Sequence, residues 1–317
     1  MKSSYSYKKI NHRANKKLYS AVIALLVIAF TLFHYYLNNA EIVDTPTEKE
    51  IYHTVHFLDV LQGDCTLIET QDGKFALIDA STNEASDKIT KFLDYRNVKE
   101  IEYLILTHPH EDHIGCADEV LDNYKVKNVY MTDKTETTRA YDNLLTSLQE
   151  SKTNHGTKVI YPENGDVFSL SGIKFKVISD GRKYDDLNNS SICLRASFGK
   201  STLLFTGDAE KEVEDDLLER GISLDAEIYK CAHHGSSTSN SEDFLDKVNP
   251  KIAIISCGNG NDYGHPHKEV TNSLTDRGVP YYITHKDGNI SIDFSKKNIL
   301  SPVAFFLSDT EPAEPVA

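Results

Sequence analysis

Short apolar runs alternate with polar turns and amphipathic stretches from residue 52 to residue 294. Apolar or β-branched runs between turn residues are typical of strands, whereas apolar positions three or four residues apart are typical of helices. We predict strands at 52–60, 64–70, 74–79, 101–107, 126–130, 157–161, 166–170, 173–179, 190–197, 201–206, 226–231, 251–257, 279–284 and 289–294. Helices are predicted at 84–97, 137–152, 241–248 and 267–277. Two strand-rich halves with helices favour two sheets packed face to face, in an α+β or α/β domain.

A different pattern precedes this region. The stretch from Leu18 to Leu37 is mostly apolar and has no formally charged side chain, and about 20 such residues can span a bilayer. Lysine and arginine are clustered next to its N-terminal end and not next to its C-terminal end, so we predict a single-pass membrane protein with a cytoplasmic N-terminus and an extracytoplasmic domain. The alternative is a secreted protein whose signal peptide is cleaved, although residues 37–40 make a poor cleavage site.

These patterns predict the organisation of the chain. We expect a basic cytoplasmic tail at 1–17, a transmembrane anchor at 18–37, a polar stalk at 38–50, one folded domain at 51–298 and a C-terminal tail at 299–317.

The charge is divided unevenly along the chain. Residues 1–40 hold six of the 34 basic side chains and no acidic one, so the other 28 basic side chains stand against all 48 acidic ones, a net charge of −20. A domain this acidic repels polyanions at long range, whereas proteins that bind duplex nucleic acid normally carry a basic patch. The charge argues against extensive wrapping of nucleic acid, but not against a phosphodiester held locally by metal ions.

A histidine cluster follows the strand predicted at 101–107. Three of the 13 histidines, His108, His110 and His113, fall within six positions, beside Asp112. A turn at the end of a strand can direct alternate side chains into one cavity. Imidazole nitrogen and carboxylate oxygen suit Zn²⁺, Mn²⁺ or Fe²⁺ better than Ca²⁺. The pattern therefore predicts a metal site.

Two further strands end in polar residues. The apolar run 203–206 ends in Gly207-Asp208, and the run 228–232 ends in His233-His234. Gly-Asp alone usually makes only a turn, but beside the histidine cluster Asp208 becomes a candidate carboxylate between two ions. One of the two histidines can bind metal while the other lies behind it or donates a proton.

A fourth cluster, Tyr263-Gly264-His265-Pro266-His267, precedes a predicted helix. No metal position requires these histidines. His265 can approach a substrate oxyanion, and His267 can simply begin the helix.

The order of these motifs resembles the metallo-β-lactamase superfamily. The segments 57–65 (FLDVLQGDC), 77–80 (LIDA), 188–191 (NNSS), 233–236 (HHGS) and 263–267 (YGHPH) are similar to the hydrolase domain of the ComEC competence protein family. The similarity covers residues 52–294. It implies an αββα sandwich with two divalent metal ions at one edge.

The resemblance also implies roles for individual residues. It makes six residues metal ligands: His108 and His110 for one ion, Asp112, His113 and His234 for the other, and Asp208 for both. Asp79 would orient a ligating histidine from behind. The stretch that contains Asn189 and Ser190 replaces the superfamily's usual third histidine of the first ion, which leaves that position open and makes Mn²⁺ a rival to Zn²⁺.

From these residues we expect metal-dependent hydrolysis at a phosphoryl or acyl centre. Asp112 or Asp208 would accept a proton from the attacking water, and His233 or His265 would stabilise or protonate the leaving side. The resemblance favours a phosphodiesterase or nuclease whose substrate is single-stranded DNA. An outward-facing, anchored domain also suits a cell-wall polymer, as in teichoic-acid phosphorylcholine esterases, which resemble this branch. A catalytically silent surface binding module is the alternative outside enzymes.

Overall fold

The computed structural model describes residues 50–307, together with Val22, Leu25, Leu26 and residues 28–31. Residues 1–17, most of the anchor predicted at 18–37, the stalk except Glu50, and residues 308–317 lie outside the described residues. Within the described part of the chain there is no helix that is both long and apolar enough to cross a membrane. The described residues from Ile51 onward form one compact unit by themselves.

The strands of this unit form two sheets. The first sheet has eight strands in the order β15-β14-β1-β2-β3-β4-β5-β6, and the second has seven in the order β13-β12-β11-β10-β9-β8-β7. Their bounds are β1 Tyr52–Phe57, β2 Thr66–Glu69, β3 Phe75–Ile78, β4 Glu100–Leu106, β5 Lys125–Met131, β6 Lys158–Ile160, β7 Val167–Leu170, β8 Ile173–Ser179, β9 Cys193–Phe198, β10 Ser201–Phe205, β11 Ile228–Lys230, β12 Ile252–Ile255, β13 Tyr281–Ile283, β14 Asn289–Ser295 and β15 Val303–Phe305.

The helices lie between these strands along the chain. Their bounds are α1 Ser86–Tyr95, α2 Glu111–Ile114, α3 Ala117–Asn123, α4 Arg139–His155, α5 Lys211–Glu219, α6 Glu242–Val248, α7 Lys268–Asp276 and α8 Thr284–Asp287, with single 3₁₀ turns at Asn83–Ala85 and Ala232–Gly235.

Three apolar layers hold the two sheets and the helices together. Successive side chains of a strand point to opposite faces, so Leu203 and Phe205 pack between the sheets while Leu204 packs under the helices of the second sheet. In the same way, Leu77 of β3 packs under the helices of the first sheet and Ile78 packs between the sheets. The layers are helix, sheet, sheet and helix, which confirms the predicted αββα sandwich.

Parallel strands in both sheets end at the same edge. β3, β4 and β5 pair in parallel in the first sheet, and β10, β11 and β12 pair in parallel in the second. Ligands in α/β sheets typically bind outside the carboxyl ends of parallel strands. The polar residues that follow these strands therefore meet in one region.

The structure differs from the predicted elements in two respects. The C-terminal tail predicted to start at residue 299 contains β15, which pairs antiparallel with β14, so the folded domain extends past residue 298. The ring of Phe305 stacks on Phe92, which explains why this short segment is ordered against the sheet. The helices α2, α3, α5 and α8 were also not predicted, because segments of four to nine residues hold too few apolar positions to reveal a helical period.

Candidate metal centre

Four side chains from both sheets converge at the carboxyl edge. Asp112 and His113 lie in α2, directly after β4, Asp208 follows β10, and His234 follows β11. One ligand atom from each lies within 4.8 Å of the others. We call these residues (Asp112, His113, Asp208 and His234) the tetrad.

Within the tetrad, imidazole nitrogens lie close to carboxylate oxygens. His113 Nε2 lies 3.2 Å from Asp208 Oδ1, and His234 Nε2 lies 3.1 Å from Asp112 Oδ2 and 3.4 Å from Asp208 Oδ2. His113 Nε2 and Asp208 Oδ1 are buried, yet neither makes a hydrogen bond among the described residues. Buried polar atoms are normally satisfied, so these atoms fit a divalent ion held between the two imidazoles and the two carboxylates.

The charges of the tetrad depend on one another. Burial lowers the pKa of His113 and of His234, but nearby carboxylates, with Asp208 foremost, outweigh burial and raise both pKa values well above the usual value. Burial alone would raise the pKa of Asp208, whereas His113 and His234 hold it well below its usual range. Without an ion, protons on the histidines supply the positive charge that balances these carboxylates.

His108 and His110 form a separate group, which we call the histidine pair. His108 Nε2 lies 3.0 Å from His110 Nδ1, and the ring centroids are 4.7 Å apart. Burial first, and then His113, lower the pKa of His108 well below its usual value, so its ring is neutral and able to bind metal. The group of possible ligands that contains the tetrad does not include the pair.

Asp79 holds the loop that carries these histidines. Its Oδ2 lies 2.9 Å from His113 Nδ1 and accepts a hydrogen bond from Thr107 Oγ1, while its Oδ1 accepts one from the Thr107 amide at 2.8 Å. A carboxylate behind a ligating imidazole fixes its tautomer and orientation. The contact leaves His113 Nε2 to face the tetrad.

The backbone is unusual where it directs these side chains. Asp79, His233 and His234 all have positive φ, at 58°, 49° and 54°. Such conformations cost of order 1–3 kcal/mol each in non-glycine residues and cluster at functional sites. Gly207 also has positive φ, and a Cβ there would lie 2.7 Å from Ser191 Oγ, so only glycine fits before Asp208.

His233 and His265 line the open side of the centre. His233 Nε2 lies 3.8 Å from Asp208 Oδ2, and its Nδ1 lies 3.1 Å from Thr238 Oγ1. The ring of His265 lies 5.4 Å from that of His233, and the exposed ring of Tyr263 stacks on it. Burial and the neighbouring histidines, His234 first, lower the pKa of His265 to about 4. At neutral pH His265 is therefore an uncharged imidazole.

The loop at 188–191 contacts the centre through Ser191, whereas Asn189 and Ser190 were the residues predicted from sequence. Asn189 accepts a hydrogen bond from the Glu210 amide, and Ser190 Oγ donates one to the Leu187 carbonyl. Ser191 Oγ, by contrast, lies 3.3 Å from His108 Nδ1 and accepts a hydrogen bond from the Asp208 amide at 3.0 Å. Asn189 and Ser190 thus hold the loop, and Ser191 touches the ligands.

Asp64 and Lys230 also adjoin the centre, and sequence reasoning did not select them. Asp64 Oδ2 lies 2.9 Å from Lys230 Nζ, and Asp64 Oδ1 lies 3.2 Å from His234 Nδ1. Burial raises the pKa of Asp64, but Lys230 and His234 outweigh it and bring that pKa to about 2. The sequence signals available were a lysine inside the apolar strand β11 and the position of Asp64 in the segment 57–65 that resembles the ComEC family.

The centre opens into a pocket of about 450 Å³. Among the described residues that line it, none is lysine or arginine. The lining consists of Gln62, Thr82, His110, Glu111, Asp112, Asn188, Asp208, His233, His234, Tyr263 and His265. A phosphate in this pocket would find histidine and tyrosine hydrogen-bond donors and an ion, but no fixed cationic side chain.

Residues 58–259, well over half of the chain, match the family model described as "Metallo-beta-lactamase superfamily". The chain belongs to this superfamily. The match spans every tetrad residue and the histidine pair. As a metallo-beta-lactamase-fold hydrolase, the chain has in its tetrad a donor set that fits the divalent metals typical of the superfamily.

Two curated proteins place the chain within the superfamily. The ComE operon protein 3 of Bacillus subtilis is 31% identical over 207 residues, which cover 65% of this chain and 26% of that protein. The competence protein ComA of Neisseria gonorrhoeae is 32% identical over 130 residues, which cover 40% of this chain and 19% of that protein. These similarities confirm the predicted resemblance to the ComEC hydrolase domain. The chain spans about a quarter or less of either relative.

A solved structure agrees with the fold. The metallo-beta-lactamase fold protein YhfI from Bacillus subtilis matches with a TM-score of 0.53, covering 76% of this chain and 99% of that chain at 12% identity. At this identity the likeness supports the metallo-beta-lactamase fold and nothing finer.

Proposed function

We propose that this metallo-beta-lactamase-fold hydrolase is a metal-dependent phosphodiesterase. The observation that carries the proposal is the tetrad, in which buried His113 Nε2 and Asp208 Oδ1 make no hydrogen bond among the described residues. Its other members, Asp112 and His234, line a pocket together with Asp208. The names of the relatives, which refer to the ComE operon and to competence, support nucleic acid as the phosphodiester and a nuclease as the activity.

Asp112, His113, Asp208 and His234 would hold one ion, and His108 with His110 would bind a second. When bound, Zn²⁺ or Mn²⁺ would polarise a phosphoryl oxygen and make a water molecule a better nucleophile. Neither ion is favoured by the donor set alone, because imidazole and carboxylate suit both.

The remaining roles in the proposed reaction, accepting a proton, binding the phosphoryl oxygen and protonating the leaving oxygen, fall to residues that line the pocket. Asp112 is half-buried at the pocket and ionised, since His113 and His234 outweigh burial and hold its pKa well below the usual range. Its carboxylate can accept a proton from an attacking water. His265 is neutral at pH 7 and can donate a hydrogen bond to a phosphoryl oxygen. His233, between Glu210 and Asp208, is the better placed of the two to hand a proton to the leaving oxygen.

We further propose that residues 18–37 anchor the protein in the cell membrane with its catalytic domain outside. This proposal rests on the apolar run and on the six basic residues before it. Protease digestion of intact cells tests it, because an external domain would be cut while a cytoplasmic one would be protected.

The pocket lining favours a second candidate, a cell-wall polymer phosphodiester that carries a cationic group. Tyr263 is 66% exposed at the pocket, Glu111 is exposed beside it, and lysine and arginine are missing from the described lining. An aromatic face and a carboxylate attract quaternary ammonium groups. A phosphorylcholine ester suits these surroundings better than a long polyanion does.

The test uses the purified full-length chain with Zn²⁺ or Mn²⁺ and bis-(p-nitrophenyl) phosphate. We expect bound metal and turnover in the wild type, with both lost in Asp208→Asn. Metal without turnover would contradict the phosphodiesterase. Neither metal nor turnover would favour a catalytically silent binding module.

A competition assay then separates the two substrates. Single-stranded DNA and a choline-bearing teichoic acid are each offered in the presence of the small phosphodiester. The substrate that inhibits at lower concentration, and is itself cleaved, identifies the class.

A further inference from the structure

Asp64 and Lys230 form an ion pair in the interior beside the tetrad. Their side chains are 6% and 4% exposed, and Lys230 Nζ lies 2.9 Å from Asp64 Oδ2. Lys230 Nζ also donates a hydrogen bond to the Cys231 carbonyl. Buried ion pairs contribute little net stability compared with apolar residues of the same volume. The position of this pair therefore calls for another explanation.

The free oxygen of Asp64 is directed at a tetrad histidine. Asp64 Oδ1 is buried, makes no hydrogen bond among the described residues, and lies 3.2 Å from His234 Nδ1. His234 Nδ1 donates a hydrogen bond to the Ser256 carbonyl at 3.0 Å. Asp64 Oδ1 and the Ser256 carbonyl oxygen are both acceptors beside Nδ1, so the proton of a neutral His234 is held on Nδ1. The unprotonated Nε2 then faces Asp112 and Asp208.

The backbone of Asp64 is tied to the other half of the tetrad. Its amide donates to the Asp112 carbonyl at 3.0 Å, and its carbonyl accepts from the Ser81 amide at 2.9 Å. A Cβ on Gly63 would lie 2.5 Å from the Asp112 carbonyl oxygen, so the segment packs directly on the loop that carries Asp112. Asp64 belongs to the first sheet and His234 to the second. One residue thus contacts tetrad members from both sheets.

Lys230 keeps the carboxylate of Asp64 ionised and in place. One ligand atom from each of Asp64, Asp79 and His113 also lies within 4.8 Å of the others, so a second cluster of buried acids adjoins the tetrad. The ammonium group of Lys230 is the fixed positive charge beside that cluster. Because it binds Asp64 Oδ2, only Oδ1 is available to His234.

We propose that Asp64, held by Lys230, is a positioning residue that orients His234 for metal, as Asp79 orients His113. This inference rests on the metal binding in the proposed function, but it makes no assumption about substrate. Each tetrad imidazole then has a carboxylate behind it, supplied by β3 for His113 and by the β1–β2 connection for His234.

The test is the Zn²⁺ affinity of the full-length double variant Asp64→Asn/Lys230→Met, measured by competition with a chromophoric chelator. This variant removes the ion pair without leaving an unpaired charge, so the fold is expected to survive. Loss of an outer carboxylate typically weakens metal binding by about 10–100-fold, and we expect that loss here. The visible spectrum of the Co²⁺-loaded protein is expected to change as well, because the orientation of His234 changes.

The matched control is Glu69→Gln/Arg96→Met. Glu69 Oε2 likewise bridges a cation and a histidine, at 2.7 Å from Arg96 Nε and 3.3 Å from His56 Nε2, but lies outside the metal centre. We expect this control to lower the thermal midpoint without changing Zn²⁺ affinity or the Co²⁺ spectrum. Far-UV circular dichroism of both metal-free variants checks that they fold.

Wild-type Zn²⁺ affinity in a folded Asp64→Asn/Lys230→Met variant would overturn the inference, even if its thermal midpoint fell. If that variant does not fold, the variant Asp64→Asn/Lys230→Gln provides the same comparison, because it also removes both charges together and keeps a hydrogen bond between the two side chains possible. Failure of the proposed function is distinguishable, because it would appear as a wild type that binds Zn²⁺ but does not cleave phosphodiesters.

Discussion

The tetrad and the histidine pair lie side by side, yet they are built differently. The tetrad offers two carboxylates and two imidazoles, and one of its histidines is held at 2.9 Å by Asp79. The pair offers two imidazoles, and among the described residues His108 Nδ1 has hydrogen-bond contacts with two hydroxyl groups, Thr107 Oγ1 at 3.2 Å and Ser191 Oγ at 3.3 Å. The tetrad thus has both more donors and stronger anchoring.

This difference predicts unequal metal affinities at the two positions. Four donors, two of them negatively charged, complete a tetrahedral site, whereas two neutral donors leave most of the coordination to water or substrate. We infer that the tetrad binds its ion first and that the pair binds an ion weakly. Water bound to the weakly held ion can be replaced by substrate most easily.

The largest effect is expected when the tetrad loses Asp208. We expect Asp208→Asn to lose the tightly bound ion and to lower turnover of the small phosphodiester by about 1,000-fold, or about 4 kcal/mol. The negative charge that balances His113 and His234 is then reduced. Metal content by mass spectrometry and steady-state kinetics check this, and an unchanged metal content would contradict the assignment.

A smaller effect is expected when the pair is broken. We expect His110→Ala to keep the tetrad ion and to lower activity by about 100-fold, roughly 3 kcal/mol. The remaining metal content should be about one ion per chain if the positions fill independently. Loss of both ions in this variant would mean that the two positions form a single cooperative unit.

The candidate metal ligands that could be predicted from sequence are those that directly follow the end of a strand. His108, His110, Asp112 and His113 occur within one short segment after β4, so their proximity is local. Asp208 and His234 could be added because parallel strands end at one edge. The alternation of apolar runs predicted two sheets packed face to face, whereas the αββα order of layers was implied only by the resemblance to the superfamily.

Other contacts depend on how the two sheets meet, which no local pattern reveals. Asp64 and Lys230 are 166 positions apart and touch only because β1–β2 and β11 lie at the same edge. Ser191 was indistinguishable from Ser190 in sequence, since a register difference of one residue decides which hydroxyl faces His108. β15 was missed because three apolar residues before an acidic tail carry no period.

Acidity should distinguish the two positions. In the metal-free protein His113 and His234 have raised pKa values, so below those values an ion must displace their protons, whereas the lowered pKa of His108 leaves it neutral. Metal affinity of the tetrad should therefore rise with pH, by about tenfold per pH unit for each proton displaced, whereas His108 of the pair has no proton to displace.

The single variants make this measurable. His110→Ala retains only the tetrad, and Asp208→Asn retains the pair, so Zn²⁺ titrations from about pH 6 to 8 follow each position alone. Calorimetric titration in buffers of different ionisation enthalpy gives an independent count of the protons that the ion displaces. A tetrad affinity that did not change with pH would contradict the charge balance described above.

The smallest effect is expected from the hydroxyl beside the pair. Ser191→Ala removes the contact with His108 Nδ1 and the hydrogen bond from the Asp208 amide, and one such bond contributes about 1 kcal/mol, roughly fivefold in affinity. The control Ser190→Ala removes a hydroxyl that bonds only to the Leu187 carbonyl. Equal losses of Zn²⁺ affinity in the two variants would show that the loop, rather than the contact of Ser191, matters.

The most direct test of the central claim is anomalous diffraction from crystals of the protein given one equivalent of Zn²⁺. We expect one strong peak between the four tetrad residues and little density at His108 and His110. A first peak at the histidine pair, or equal peaks at both positions, would contradict the claim that the tetrad is the primary metal site.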